Sequence, residues 1–269
     1  MGLSSFIAKR YYWSKSKWNI VNIISRAASF VLIIAVCSFF VVLSVFSGLK
    51  SFGENYSNAF EPEIKVSDIS SKHFIIPDSI YNRVKGIDGV LSLSKILEEK
   101  VLVQNEEKND FAYLFGVDRS YSSVVQIDSV ITLGKWLNPL SKEFEAVVSY
   151  DLADNLNLGM YNYGGGLTVV VPSKKSKNNL FKKTFSSYSY MVSGLFSSNE
   201  PDNQKTVFTS ITNARRLLEL EKTAVSAIII KTNNNTPLVS IANEIKKALG
   251  NDFSVKTRQE LNETYYKML

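Results

Sequence analysis

Residues 27–47 of the 269-residue chain, within the stretch "RAASFVLIIAVCSFFVVLSVFSGLK" (26–50), carry no charge. As a helix, about 21 such residues at about 1.5 Å per residue span roughly 30 Å, the hydrocarbon thickness of a bilayer. The apolar core of a secretion signal is shorter, about 7–15 residues, and ends at small residues. This run is rich in Val, Ile and Phe and lacks an A-x-A site. A buried core helix would show a polar stripe. The expectation is an uncleaved transmembrane helix over 26–48.

Charge sets its direction. Residues 1–53 hold Lys9, Arg10, Lys15, Lys17, Arg26 and Lys50 and no acid; the first carboxylate is Glu54. These cations account for the whole net charge of +6, and the remainder is balanced at 25 basic against 25 acidic residues. The basic character is therefore a statement about topology, and no nucleic-acid partner is expected. Positive flanks stay inside, which predicts a cytoplasmic N-terminus and an exported bulk. Residues 1–25 interleave aromatics with cations: Lys9, Arg10, Tyr11, Trp13, Lys15, Lys17 and Trp18. Rings with polar edges favour the headgroup layer and cations favour anionic lipid, so an interfacial helix is expected over a disordered basic tail.

Beyond the span, "EIKVSD" (63–68) alternates like a strand, and "DSIYNRVKGI" (78–87) has helical spacing with Asp78 as a candidate N-cap. "VLSLSKILEEKVLVQNE" (90–106) and "DFAYLFGVD" (110–118) read as strands joined by the polar turn "NEEKN". Near the C-terminus, strand (225–232), amphipathic helix (236–249) and strand (252–257) repeat the pattern. Two such halves predict a split βαβ domain with helices on one face of a shared sheet. The middle is β-rich. Ser149 or Asp151 could cap a short helix over 150–157, strands are expected over 164–173 and 184–198, and "ARRLLELEK" (214–222) reads as a helix. The fold class expected is α+β: one N-terminal transmembrane helix, a split-βαβ domain over 49–108 and 223–257, and a β-rich subdomain inserted over 109–222.

No motif for chemistry stands out. The P-loop pattern is absent, so no ATP site is expected in this chain. Gly164, Gly165 and Gly166 lead into a strand, where a phosphate cradle would need a helix. Cys37 and His73 are the only residues of their kinds, which leaves neither a disulfide framework nor a metal cluster to build within one chain. Glu98–Glu99 and Glu106–Glu107 are neighbours on strands and point to opposite faces, unlike an acid/base dyad. No cofactor, metal or enzymatic activity is expected; an exported hydrolase with an unfamiliar site is one rival. The tip "SKKSKNNLFKK" has two readings. It is a cationic loop that blunts aggregation, or an arm for a partner in which Leu180 and Phe181 are apolar anchors among Lys174, Lys175, Lys177, Lys182 and Lys183.

The opening 47-residue region, with Phe6, Ile7, Ala8, Arg10, Tyr11, Asn22, Ser25, Leu43, Ser44, Val45 and Gly48, resembles the start of LolC/LolE-type lipoprotein-releasing permeases. The exported part is similar to the MacB-like periplasmic core domain, with "FGVD" (115–118), "GKWL" (134–137) and "VSGLF" (192–196) at comparable places. The resemblance implies a bacterial inner-membrane permease with a periplasmic porter subdomain and an inserted Sabre subdomain. It implies a second permease subunit, a separate cytoplasmic ATPase that binds ATP, and a lipoprotein or periplasmic carrier that meets a Sabre hairpin, here 173–184. The alternative is a single-span periplasmic binding or scaffold protein without transport. Relatives continue into three further spans; "RQELNETYYKML" (258–269) reads as the lead-in to a missing second one, as in a truncated product or a split gene.

Overall fold

The computed structural model describes residues 3–12, 20–57, 62–125, 127, 130–138, 141, 143–162, 165–173, 185–197, 205–233 and 236–261. The chain divides into two units, residues 1–56 and 57–269. The first holds helices α1 (Leu3–Tyr12) and α2 (Ile20–Ser57). No proline interrupts α2, and its Ser29 hydroxyl donates back to the Ser25 carbonyl at 2.9 Å.

In the second unit, β1 (Ile64–Asp68), α3 (Asp78–Lys85) and β3 (Val90–Asn105) precede β11 (Ala227–Thr232), α7 (Leu238–Leu249) and β12 (Phe253–Thr257). A short β2 (Phe74–Ile75) pairs with β10 (Ala224–Val225). The four longer strands lie in the order β12-β1-β11-β3, all antiparallel to their neighbours. Both helices turn apolar residues to one face of this sheet: Val84, Ile241, Ile245 and Leu249 pack with Ile64, Val66, Ile228 and Ile230. Asp78 is the first helical residue and not the cap. Extended Pro77 takes that position, since its ring fixes φ at −61° and leaves no N–H to satisfy; Asp78 then complements the positive end of the helix.

β3 is one continuous strand of 16 residues. Its first part pairs with β11, and its second part, on the same edge, pairs with β7 (Leu167–Pro172) through Leu102↔Val170 to Gln104↔Thr168. Its other edge carries β4 (Lys108–Val117) from Ile96↔Val117 to Asn105↔Lys108. The intervening turn is Glu106–Glu107, shorter than the polar stretch suggested, with Glu106 at φ 49°. Onward, β4 pairs with β9 (Thr206–Ser210), β9 with β6 (Glu145–Ser149), β6 with β8 (Phe185–Phe196), and β8 with β7. Because β7 returns to β3, these strands close a ring. Alternation sends Val101, Val103, Leu114, Val148, Val169 and Tyr190 into one core. β5 (Ile131–Gly134) adds to β8 outside the ring.

Shorter helices trim the ring. α5 (Tyr150–Asn155) has Ser149 at its cap position, yet that hydroxyl accepts from the Thr206 N–H at 3.3 Å and so ties β6 to β9. α6 (Ile211–Leu217) begins three residues before the expected helix and stops five short of its expected end. The Ser210 hydroxyl caps it by accepting from Asn213 N–H at 3.2 Å, and Glu219 at φ 51° ends the run. Glycine is required where α6 rides on β4: a Cβ on Gly116 would lie 2.4 Å from Ala214 Cβ. Before β7, Gly165 at φ 92° passes against the Asn105 side chain, and Gly165 and Gly166 lead into a strand.

Candidate functional sites: an exposed apolar helix and an aromatic cleft

Within α2, Asn22–Leu49 forms a 28-residue window long and apolar enough to cross a bilayer, and none of it is buried in the chain's own fold. At about 1.5 Å per residue this is roughly 42 Å, enough for the hydrocarbon layer with tilt. Phe30, Phe39, Phe40 and Val45 are each more than 60% exposed, a surface that water does not tolerate. On α1, Leu3, Phe6 and Ile7 share a face by their spacing and are exposed. Arg10 continues the same stripe, where its stem can lie on apolar surface while the charge reaches out; Lys9 flanks it. The Tyr11 backbone belongs to α1, whereas Trp13, Lys15, Lys17 and Trp18 lie outside the described residues. The same holds for the tip residues Lys174, Lys175, Lys177, Leu180, Phe181, Lys182 and Lys183; the described flanks are the paired ends Pro172↔Phe185 of β7 and β8.

A second site lies on the outer face of the sheet. Residue by residue, alternation turns Ile96, Val117, Val147, Phe208 and Ile229 away from the ring's core into a separate cluster. Phe208 on β9 is 3% exposed and is its centre. Its ring stands 5.4 Å from Phe115, 5.7 Å from Tyr121, 5.2 Å from Trp136 and 5.3 Å from Phe196. Tyr121, on the short helix α4 (Tyr121–Val124), stacks on Trp136 at 5.9 Å. Burial pushes the Tyr121 phenol well above its ordinary value, with the Glu98 charge adding to the effect. "FGVD", "GKWL" and "VSGLF" therefore meet here through Phe115, Trp136 and Phe196. Glycines make the approach possible: Gly134 (φ +78°) pairs with Gly194, and a Cβ on Gly194 would lie 2.4 Å from the Lys135 carbonyl oxygen. Phe208 itself sits in "TVFTS", a stretch whose only sequence signal was a short apolar run.

Asp118 locks the corner after β4. Its carboxylate accepts from the Ser94 hydroxyl at 2.7 Å, from Lys95 N–H at 2.9 Å and from Ser120 N–H at 2.9 Å. Beside it opens a cleft of about 280 Å³ lined by Asp118, Arg119, Ser122, Trp136, Leu137 and Ile211, among others. The neighbouring carboxylates on β3 are held apart. Glu98 accepts from Lys65 at 2.7 Å, while Glu99 pairs with Lys72 and lies 3.2 Å from His73 Nε2. Among the described residues no group of three or more His, Cys, Asp or Glu is arranged to hold a metal ion.

The family model described as "MacB-like periplasmic core domain" matches residues 27–248, from the apolar helix through α7. Two curated proteins named "Lipoprotein-releasing system transmembrane protein LolC", from Buchnera aphidicola of Acyrthosiphon pisum and of Schizaphis graminum, are 21% identical over 91% of this chain and 20% identical over 98% of it. The chain spans 59% and 63% of their lengths. Among solved structures, the periplasmic region of MacB from Actinobacillus actinomycetemcomitans aligns over 79% of this chain and 96% of its own, with TM-score 0.52 and 13% identity. The extracellular domain of the noncanonical ABC-type transporter YknZ from Gram-positive bacteria aligns over 72% and 99%, with TM-score 0.50 and 13% identity.

Proposed function

Because this chain belongs to the MacB-like periplasmic core domain family, we propose that it is a permease subunit, or a portion of one, of an ATP-binding-cassette transporter of the lipoprotein-releasing type. The observation that carries the reading is the continuity of the family match, which runs without a break from the apolar helix into the folded unit. The naming of the curated relatives and the charge asymmetry around α2 support it. In this reading α2 crosses the bacterial inner membrane with residues 1–25 on the cytoplasmic side, held to the inner leaflet through Lys9, Arg10 and their aromatic neighbours. The folded unit stands in the periplasm. The sheet of β1, β3, β11 and β12 with α3 and α7 serves as the porter portion, and residues 109–222 serve as the Sabre-like portion with the 173–184 tip as its partner-seeking arm. ATP is bound by a separate cytoplasmic ATPase, a second permease subunit completes the transporter, and the cargo is a lipoprotein or another passenger.

The experiment is affinity purification from detergent extracts combined with protease treatment of intact spheroplasts. Co-purification of an ATPase and a second permease chain, with cleavage confined to residues beyond Glu54, is the expected result. Protection of that region overturns the orientation. Correct orientation without either partner favours an anchored periplasmic scaffold.

A further inference from the structure

One edge of β3 changes partners along its length: β11 pairs as far as Ala227↔Ile96, and β7 begins at Leu102↔Val170. Two short segments, 71–76 and 219–226, meet β3 between those points. The Ser226 hydroxyl accepts from Glu98 N–H at 3.0 Å. Alternation turns Glu99 to the same face as buried Leu97 and Val101, so its carboxylate enters partly apolar surroundings and needs counter-charge. The 71–76 segment supplies it: Lys72 pairs with Glu99, and His73 Nε2 stands 3.2 Å from Oε2. Lys72 is mostly exposed, whereas the side chains of His73 and Glu99 are 14% and 21% exposed. Phe74 and Ile75 then pair with Val225 and Ala224, and the buried Phe74 ring stands edge-on to Phe253 at 5.6 Å. The two segments form a clasp on β3 where its partners change.

One proton sets the charge of this clasp. An open groove of about 580 Å³ is lined by Lys72, His73, Phe74 and Glu221, among others. Lys72 and Glu221 are the charged residues beside His73 in that lining, and Glu99 reaches His73 from β3. β2 and β10 carry no charged residue. The other nearby carboxylates are engaged elsewhere: Glu98 with Lys65 at 2.7 Å, Glu219 with the Ser173 hydroxyl at 3.1 Å, and Asp68 with the N–H groups of Ser70 and Ser71. Glu99 and Glu221 against Lys72 leave one negative charge, which an imidazolium balances and a neutral imidazole does not. We propose that segments 71–76 and 219–226 are a pH-responsive clasp, closed on β3 when His73 is protonated against Glu99 and loosened when His73 is neutral. An imidazole ordinarily titrates near pH 6.5, so the added hold is complete below about that pH and is lost as the pH rises above it. The clasp depends on the folded unit alone and not on a transport role.

Hydrogen–deuterium exchange of the full chain in nanodiscs tests this, read by mass spectrometry at about pH 5.5 and about pH 8.0, on either side of the imidazole range. Rates are corrected for intrinsic exchange at each pH. His73 is the only histidine, so no other side chain of ordinary pKa titrates in that window. Amides of 73–76 and 224–226 are expected to be about two- to fivefold less protected at the higher pH, the range an incompletely buried ion pair is worth, while α7 stays unchanged. His73→Gln keeps an N–H donor without the charge and is expected to show the looser exchange at both pH values. Glu99→Gln is expected to lose most of the pH difference. Circular dichroism is recorded for both variants, and the parent comparison stands without either. Equal parent protection at the two pH values, greater protection at the higher one, a loss shared equally by α7, or a difference that survives in full in His73→Gln or Glu99→Gln each overturns the proposal.

Discussion

Phe208→Ala probes the aromatic cluster most directly. Burying a Phe side chain is worth about 1.5–3 kcal/mol of transfer free energy. Its removal also leaves a hole, and Phe→Ala changes in cores cost about 3–5 kcal/mol in total. Here the hole cannot close readily. Phe115 and Phe196 are fixed on paired strands, and Trp136 is fixed by the Gly134–Gly194 approach. The ring contacts, each worth about 0.5–1.5 kcal/mol on its own and not additive, are lost together. The expected loss is therefore in the upper part of that range, about 4–5 kcal/mol. The assay is urea unfolding of the detergent-solubilised chain carrying Trp13→Phe and Trp18→Phe, with Trp136 as reporter. The midpoint should fall by about 1.5–3 M. Phe111→Ala, at a ring 59% exposed on β4, serves as the comparison and should cost about 0.5 kcal/mol or less. A loss for Phe208→Ala below about 1.5 kcal/mol, or one equal to that of Phe111→Ala, would refute the assignment of Phe208 as the centre of the cluster.

Gly194→Ala should cost about 1–3 kcal/mol and shift Trp136 emission, because backbone atoms of Lys135 cannot rotate away from a new Cβ; unchanged emission would show that β5 is not pinned there. Asp118→Asn puts an amide donor where three donors converge and should cost about 1.5–3 kcal/mol by the same unfolding assay. The Lys205 ammonium, at 3.0 Å, and the Phe111 N–H hold the Asp110 carboxyl below its usual range. A depressed acid stabilises the fold above its unfolded value of about 3.9 and loses that contribution as pH falls through the folded value. The pair is solvent-exposed, so the difference between parent and Asp110→Asn should be about 0.2–1 kcal/mol at neutral pH and vanish in strong acid; a gap that grows on acidification would reverse the sign.

Much of the fold was legible because its signals are local. The apolar run, the alternation over 90–106 and the Pro–helix–Gly pattern around α7 each report on their own residues. What lay hidden depends on pairing at a distance. No residue in "LTVVVP" announces that β7 will lie against both β3 and β8, and that choice is what closes the ring. The aromatic cluster was partly visible as three separate motif pieces, while Phe208, which joins them, carried no signal beyond its own hydrophobicity. Helix ends were misplaced where a single side chain decides them: the Ser210 hydroxyl and the left-handed Glu219 set the limits of α6 against the helix preference of "ARRLLELEK".

The double membership of β3 has an evolutionary corollary. A strand whose leading half aligns with β11 and whose trailing half aligns with β7 on the same edge cannot be severed into interchangeable cassettes. Chimeras between relatives should fold only when β3 travels with both of its partners, so shuffling breakpoints are expected to avoid residues 90–105.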